Sequence, residues 1–299
     1  MNASETSDEL SAPFNEHRPL LFSIAYRMLG SVADAEDVVQ EAFVRWLRAA
    51  PAGVESPRRL LTTIVSRLSI NLLKSARVRR ETYVGPWLPE PIVTTSGDNA
   101  DRLILGESIS MAFMMLLERL NPVERAVFIL RDVFDYGYEE ISAILNRSEE
   151  HCRQLLHRAH GHLKRERRRF DATPAQHENL LRRFMEATRY GDMQGLLNVL
   201  SSDVVLYADG GGKAAAVPLP VFGADKVGRL MIGATKKFTP AGATFELLSL
   251  NGSLAIVSYS GDRPMTAVIV ETDSRSIHRI YVVSNPDKLS RLAKTTVRS

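Results

Sequence analysis

The sequence predicts a multidomain chain: two all-α domains, the second built around a helix-turn-helix, followed by an α+β domain. Three observations carry this. Apolar residues recur at helical spacing through residues 14–83 and again through 101–170. A stretch rich in Pro, Gly and polar residues, VGPWLPEPIVTTSGDNA, separates the two. Beyond Thr173-Pro174 two more helical stretches give way, from about residue 200, to segments rich in Val, Ile, Tyr and Thr that alternate as strands do. The predicted divisions are 10–83, a linker at 84–104, 105–170, 175–290 and a tail at 291–299.

Composition bounds the function. The 299 residues suffice for two or three small cores, and 44% are hydrophobic, as in ordinary globular chains. No apolar run approaches the ~18 residues that would span a bilayer. The polar, acidic N-terminus lacks the pattern of a secretory signal, and the single Cys152 fits a reducing cytoplasm. The net charge is +3, but residues 1–171 hold 23 Lys+Arg against 24 Asp+Glu. Basic charge is instead clustered: Lys74-Ser75-Ala76-Arg77-Val78-Arg79-Arg80 has no acid, and residues 147–170 carry eight Lys+Arg against three Glu. Such patches bind phosphate whatever the total charge, although solvated helix ends look the same one at a time.

In the first domain Ser31 has the position of an N-cap, with Asp34 at N3. The helix it opens puts Ala35, Val39, Ala42, Phe43 and Trp46 on one face and Asp34, Asp37, Glu41, Val44 and Arg48 on the other. An acidic face with one exposed valine suits protein docking, and also suits an ordinary surface helix. Ser56-Pro57 starts the next helix as N-cap and N1 proline. Its core stripe is Leu61, Ile64, Val65, Leu68 and Leu72, and its far end delivers Asn71, Lys74, Arg77, Arg79 and Arg80. Polar groups beside arginines fit a nucleic-acid strand, the first reading bases and the second holding phosphates.

In the second domain Asn121-Pro122-Val123-Glu124 opens a helix predicted over 122–134. A short helix at 138–145, a turn at Asn146-Arg147 and a third helix capped by Ser148 complete a helix-turn-helix. Cys152, Leu155, Leu156, Ala159 and Leu163 face its core. Arg147, Ser148, Glu150, Arg153, Gln154, His157 and Arg158 lie on or beside the opposite face, where Arg and Gln could read guanine and adenine edges. The histidines at 151, 157, 160 and 162 lack metal-ligand spacing and read as solvated or DNA-facing. No metal or cofactor is expected.

In the C-terminal domain, helices are predicted at 177–189 and 192–200 and strands at 253–260, 265–272 and 276–284. A curved sheet wrapped by helices makes a cone with an apolar cavity. Tyr207, Asp209, His278 and Tyr281 could line it, with an Asp/His pair for acid–base work. Alternatively Asp209 serves a glycine-rich turn and His278 is a solvent-facing strand residue.

Taken together, Asp34–Trp46, Ser56–Tyr83 and the helix-turn-helix with its trailing His157-Arg158-Ala159-His160 resemble the extracytoplasmic-function (ECF) sigma factors of bacterial RNA polymerase. Three further segments resemble the signatures of the SigJ-type subgroup. They are Trp87-Leu88-Pro89-Glu90-Pro91, Asp209-Gly210-Gly211-Gly212-Lys213 and Asn285-Pro286-Asp287-Lys288-Leu289. Ala214 stands where that pattern has Val, and His160 where the family often has Arg. The resemblance implies a region 2 helical bundle, a region 4 helix-turn-helix and a fused SnoaL-like domain of the NTF2-like fold. Asp34, Asp37, Glu41, Val44 and Arg48 would then meet the β′ clamp helices of core polymerase. Asn71, Lys74, Arg77, Arg79 and Arg80 would meet the −10 element, and the exposed face of the third helix the −35 element. Region 4 would also meet the β flap. The chain would not be an enzyme, would sit in the cytoplasm without a membrane partner, and would be modulated by its own C-terminal domain. A SnoaL-like small-molecule enzyme and a helix-turn-helix regulator gated by a ligand of the cavity are the alternatives.

Overall fold

Local sequence signals place most of the helices. The computed structural model describes residues 3–49, 54–94, 109–163 and 172–294. Helices α1 (Ala3–Leu29), α2 (Val32–Ala49) and α3 (Pro57–Glu81) come first. Ser31 Oγ accepts from the Asp34 amide at 3.2 Å, and Ser56 Oγ from the Arg59 amide at 3.3 Å, so both predicted caps satisfy orphan N–H groups. α1 buries Leu21, Ile24, Ala25 and Met28 against Ala35, Val39, Ala42 and Trp46 of α2 and Leu61 and Val65 of α3.

Four helices follow: α4 (Met111–Leu117), α5 (Pro122–Phe128), α6 (Tyr138–Leu145) and α7 (Glu149–Leu163). Asn121 and Glu124 form a reciprocal capping box at the start of α5. The helix predicted to run on to residue 134 changes at Ile129–Val133 into a π turn. The π turn closes with the Phe134 amide on the Ile129 carbonyl at 3.2 Å, and Asp135 then takes a positive φ of 54°. Asn146, at φ 53°, makes the left-handed corner between α6 and α7, a conformation asparagine tolerates better than most residues.

Contacts divide the described chain into two units, one holding residues 3–81, 109 and 113–163 and the other 82–94, 110–112 and 172–294. The two helical segments thus pack within a single unit. Arg67 of α3 donates to the carbonyls of Ile144 (2.9 Å) and Ala143 (3.4 Å), which α6 leaves unpaired at its C-terminus. The hydroxyls of Thr62 and Tyr136 meet at 3.0 Å, and buried Arg125 donates from Nε to the Arg27 carbonyl at 2.9 Å.

The second unit begins with α8 (Pro174–Tyr190) and α9 (Met193–Leu197), continues through β1 (Leu200–Asp209) and β2 (Val221–Phe222), and then α10 (Ala224–Phe238). β3 (Thr244–Leu250), β4 (Ser253–Ser260), β5 (Arg263–Thr272) and β6 (Ile277–Val283) complete one sheet of order β2-β1-β6-β5-β4-β3, and α11 (Pro286–Leu289) closes the fold. The β1–β6 pair is parallel and the other neighbours are antiparallel. The helix predicted at 192–200 stops at Leu197, because Val199 and Leu200 already pair with the Ile277 end of β6. Helix α10 breaks the all-strand pattern expected after residue 200. Its apolar stripe of Val227, Leu230, Met231 and Ala234 packs over the sheet.

Candidate interdomain and nucleic-acid sites

The outward face of α2 is built by helical periodicity. Asp37, Glu41 and Arg48 are exposed, while Asp34 and Val44 are half-buried. Glu41 is paired along the helix with Arg45 at 2.8 Å. On α3, Asn71 and Lys74 are exposed one turn apart. The side chains of Arg77, Arg79 and Arg80 lie outside the described residues, as does the basic stretch 164–170.

On α7, Cys152, Leu155, Leu156, Ala159 and Leu163 are buried, and burial raises the Cys152 thiol pKa. Glu150, Arg153, Gln154, His157 and Arg158 are exposed on the far side, with Arg147 and Ser148 exposed at the turn. Ser148 Oγ caps the helix by accepting from the His151 amide at 3.2 Å. Arg153 pairs with Glu149 at 2.7 Å and lies 4.8 Å from the Tyr138 ring centroid. Gln154 donates to Glu150 at 3.2 Å. Two residues of this surface are already engaged: Arg158 lies 3.7 Å from buried Glu124, and His160 bonds Asp132 at 2.5 Å with its ring edge-on to Phe128. Among the described residues no cluster of three metal-ligating side chains occurs.

In the second unit the three short segments singled out above converge on one buried carboxylate. Asp209 ends β1 with no exposed surface. Its Oδ1 accepts from the Tyr83 hydroxyl at 2.6 Å, and its Oδ2 from the Leu88 amide at 2.9 Å and from Lys288 Nζ at 2.7 Å. Lys288 Nζ also donates to the Leu88 carbonyl at 2.5 Å and sits 4.2 Å from the Trp87 ring centroid and 5.2 Å from that of Tyr83. Asn285 caps α11 through the Asp287 amide (3.1 Å) and donates to the Tyr83 hydroxyl (2.9 Å). The Asp209 carbonyl accepts from the amides of Ser284 and Asn285, and Lys213 pairs with Asp287 at 2.5 Å. Burial and the Asp209 carboxylate raise the Tyr83 pKa far above its usual value, so this hydroxyl remains a donor.

The glycines between Asp209 and Lys213 are required by geometry. Gly211 and Gly212 have φ of 60° and 70°, and a Cβ on Gly211 would overlap the Asn285 side chain. Pro89, Glu90 and Pro91 are buried, and Glu90 lies 3.6 Å from Arg291. Leu88 and Leu289 are also buried. The chain then runs along the free edge of β3. Ile92 and Asn251 exchange two hydrogen bonds (3.0 and 2.8 Å), and Thr94 bonds Ser249 through both backbone and hydroxyl, each at 2.8 Å. This pairing covers an edge strand that would otherwise be open.

Tyr207, Asp209, His278 and Tyr281 do not line the cavity of this domain, which corrects that expectation. Side chains alternate across a strand, so Leu206 and Ala208 face the cavity while Tyr207 and Asp209 face the opposite side. Tyr281 stacks on Tyr207 at 5.7 Å between centroids and donates to Glu271 at 3.1 Å. His278 bonds Asp273 at 2.7 Å. Tyr83 was not among the predicted site residues, although an aromatic side chain beside a Trp-Pro linker was a readable signal.

This constellation, helix-turn-helix and basic helix together with a domain that grips its own linker, defines a sigma-70-type initiation factor with a fused domain. The sigma-70 region 2 family matches residues 14–79, and the sigma-70 region 4 family matches residues 110–163. The ECF RNA polymerase sigma factor SigJ of Mycobacterium tuberculosis is 36% identical over 297 residues, covering 93% of this chain and 92% of its own. The probable ECF RNA polymerase sigma factor SigI of the same species is 32% identical, covering 95% and 96%. The crystal structure of M. tuberculosis SigJ superposes with a TM-score of 0.74 at 34% identity, covering 93% of this chain and 97% of that one. The chain belongs to the ECF sigma factors. It is therefore a DNA-binding initiation factor that works with core RNA polymerase at promoters, and its C-terminal domain has the SnoaL-like fold. Among the described residues no helix is long and apolar enough to cross a membrane.

Proposed function

We propose that this ECF sigma factor is regulated by its own C-terminal domain, which acts by holding the linker between the two sigma regions. The division proposed is region 2 at 10–83, a linker at 84–104, region 4 at 105–170, the SnoaL-like domain at 175–290 and a tail at 291–299. The observation that carries the reading is the Asp209 hub. One buried carboxylate, Asp209 at the end of β1, ties Tyr83 at the end of region 2 and Leu88 of the linker to Lys288 near the end of the SnoaL-like domain. Buried, fully paired charges of this kind favour one arrangement over its neighbours. The linker that must be free to position the two sigma regions is therefore biased toward a docked state.

Within that frame the acidic face of α2 (Asp34, Asp37, Glu41, Val44, Arg48) docks on the β′ clamp helices. The end of α3 (Asn71, Lys74, Arg77, Arg79, Arg80) meets the −10 element. The exposed face of α7 (Arg147, Ser148, Glu150, Arg153, Gln154, His157, Arg158) reads the −35 element, with region 4 on the β flap. The domain is not an enzyme in this reading. Asp209 faces away from the cavity, His278 is not among the residues lining it, and the described lining residues carry no titratable group.

The experiment is promoter-specific transcription with reconstituted polymerase, comparing the full chain with chains ending after residues 170, 204 and 284. The last cut removes Lys288 and Asn285 and leaves Asp209 short of its partners. A change in promoter output for these cuts is expected, and identical output from all four proteins overturns the regulatory reading.

A further inference from the structure

On the face of the sheet opposite the Asp209 hub lies a cavity of about 460 Å³. That volume falls in the range of sites that enclose small organic molecules. Its wall is Leu206 and Ala208 of β1, Leu230, Met231 and Ala234 of α10, and apolar residues of β3–β6, with Phe238 and Met265 partly exposed to solvent. The polar groups on the sheet side are hydroxyls: Ser258, Thr266 and Ser284, with Thr266 and Ser284 3.3 Å apart and Ser258 3.5 Å from the Thr266 carbonyl. Among the described lining residues there is no charge to pair with an ionised ligand, and burying one unpaired is costly. A space of this size lined by apolar side chains gains little from water and much from an apolar guest.

We propose that this cavity binds a small, uncharged, predominantly apolar molecule carrying one hydroxyl- or carbonyl-type end for the Ser258–Thr266–Ser284 cluster, and that occupancy is transmitted to the docked linker. The route is short. On β1, Ala208 faces the cavity and the next residue, Asp209, holds the linker. Beyond β6, Ser284 faces the cavity and the next residue, Asn285, holds Tyr83. Residues Ala214–Val217, another wall of the cavity, follow directly on the Gly210–Lys213 turn. Gly85 of the linker is close enough to Val217 and Pro218 that an added Cβ would touch their backbone, and one added to Gly212 would touch Val84. A guest that shifts Ala208, Ser284 or Val217 therefore moves atoms in direct contact with the linker. The inference rests on the regulatory reading for its meaning, but its test needs no polymerase, so the two can fail separately.

The probe is N-phenyl-1-naphthylamine, neutral and fluorescent in apolar surroundings, with 8-anilinonaphthalene-1-sulfonate as a near-isosteric partner that adds one negative charge. With the full-length chain, the neutral probe should saturate at one per chain and the sulfonate should bind about tenfold or more weakly, a difference of ~1.4 kcal/mol. Ala234→Trp, from the helix side, and Val282→Phe, from the sheet side, fill the cavity independently. Either should weaken the neutral probe about tenfold or more while thermal melting remains cooperative, whereas Leu219→Ala, at an exposed apolar residue away from the lining, should not. Hydrogen exchange of the segment containing the Leu88 amide should change when the neutral probe is bound. Equal affinity for the two dyes, or undiminished binding in both filled variants, overturns the site. Binding with unchanged exchange at Leu88 overturns the transmission.

Discussion

Asp209 shows how a single residue can organise a linker. A carboxylate with no exposure is tolerated only when its lone pairs are filled, and here a hydroxyl, an amide and an ammonium fill them. Lys288→Met should therefore cost about 3–5 kcal/mol in urea unfolding of the full chain, because it strands a buried charge. Combining it with Asp209→Asn should cost less than the sum of the single losses, whereas strict additivity would show that the two side chains do not act as a pair. Glu271 differs. Burial is the first cause that raises its pKa, to about 7, against the opposing pull of Arg279 at 3.9 Å and the Tyr281 hydroxyl. A carboxyl whose folded pKa exceeds its unfolded value of 4.5 stabilises the fold while protonated. That contribution is complete below about pH 4.5 and is lost as pH rises through about 7. The stability of wild type relative to Glu271→Gln should accordingly fall between pH 5 and pH 8. A difference that stays flat across that window would show that Glu271 remains ionised throughout.

At the scale of elements, α7 separates a proposed reading surface from a supporting one. Arg153 and Gln154 are exposed, Arg153 paired with Glu149 and lying over the Tyr138 ring and Gln154 bonded to Glu150, so both are accessible for the proposed base contacts. Arg153→Ala and Gln154→Ala should each reduce discrimination between matched and scrambled −35 sequences by about 1–3 kcal/mol in transcription with core polymerase, with little change in melting temperature. Arg158, placed over buried Glu124, should lower stability when replaced by Ala as well as weaken DNA binding. These helices were legible because their signals are local: Ser31, Ser56, Asn121 and Ser148 each cap within three residues. The elements that escaped depend on distant partners. The π turn at Ile129–Val133 keeps the composition of a helix, so no local residue marks it. Val199 and Leu200 read as the end of a helix, and become strand because Ile277 and β6 offer them pairing. Asp209 was recognisable as special from its glycines, yet its direction was not. One residue of register decides which face of β1 it occupies, and that register is set by β6, more than 60 residues away. The bridge of Val93 to Leu250 was invisible for the same reason, since nothing in the linker's own sequence names the edge it joins.

At the scale of the whole chain, the two sigma regions pack as one unit, and this sets a requirement for function. Promoter elements named for positions −10 and −35 are separated by roughly 25 base pairs, or ~85 Å along B-DNA. The contacts of α3 with α6, through Arg67 to the Ile144 carbonyl, and with the segment before α6, through Thr62 to Tyr136, bring the two proposed readers far closer than that. In the reading proposed above, the packed arrangement has to open before both elements can be held, and the apparent affinity for core polymerase would be reduced by the fraction of chains that remain closed. Arg67→Ala combined with Tyr136→Phe removes hydrogen bonds worth about 0.5–1.5 kcal/mol each, without touching the acidic face of α2 or the exposed face of α7. Small-angle scattering should then report a larger radius of gyration, and fluorescence anisotropy should report up to about tenfold tighter binding to core polymerase. A larger radius with unchanged affinity would mean that opening is not what limits assembly. An unchanged radius would mean that these two contacts do not hold the unit closed.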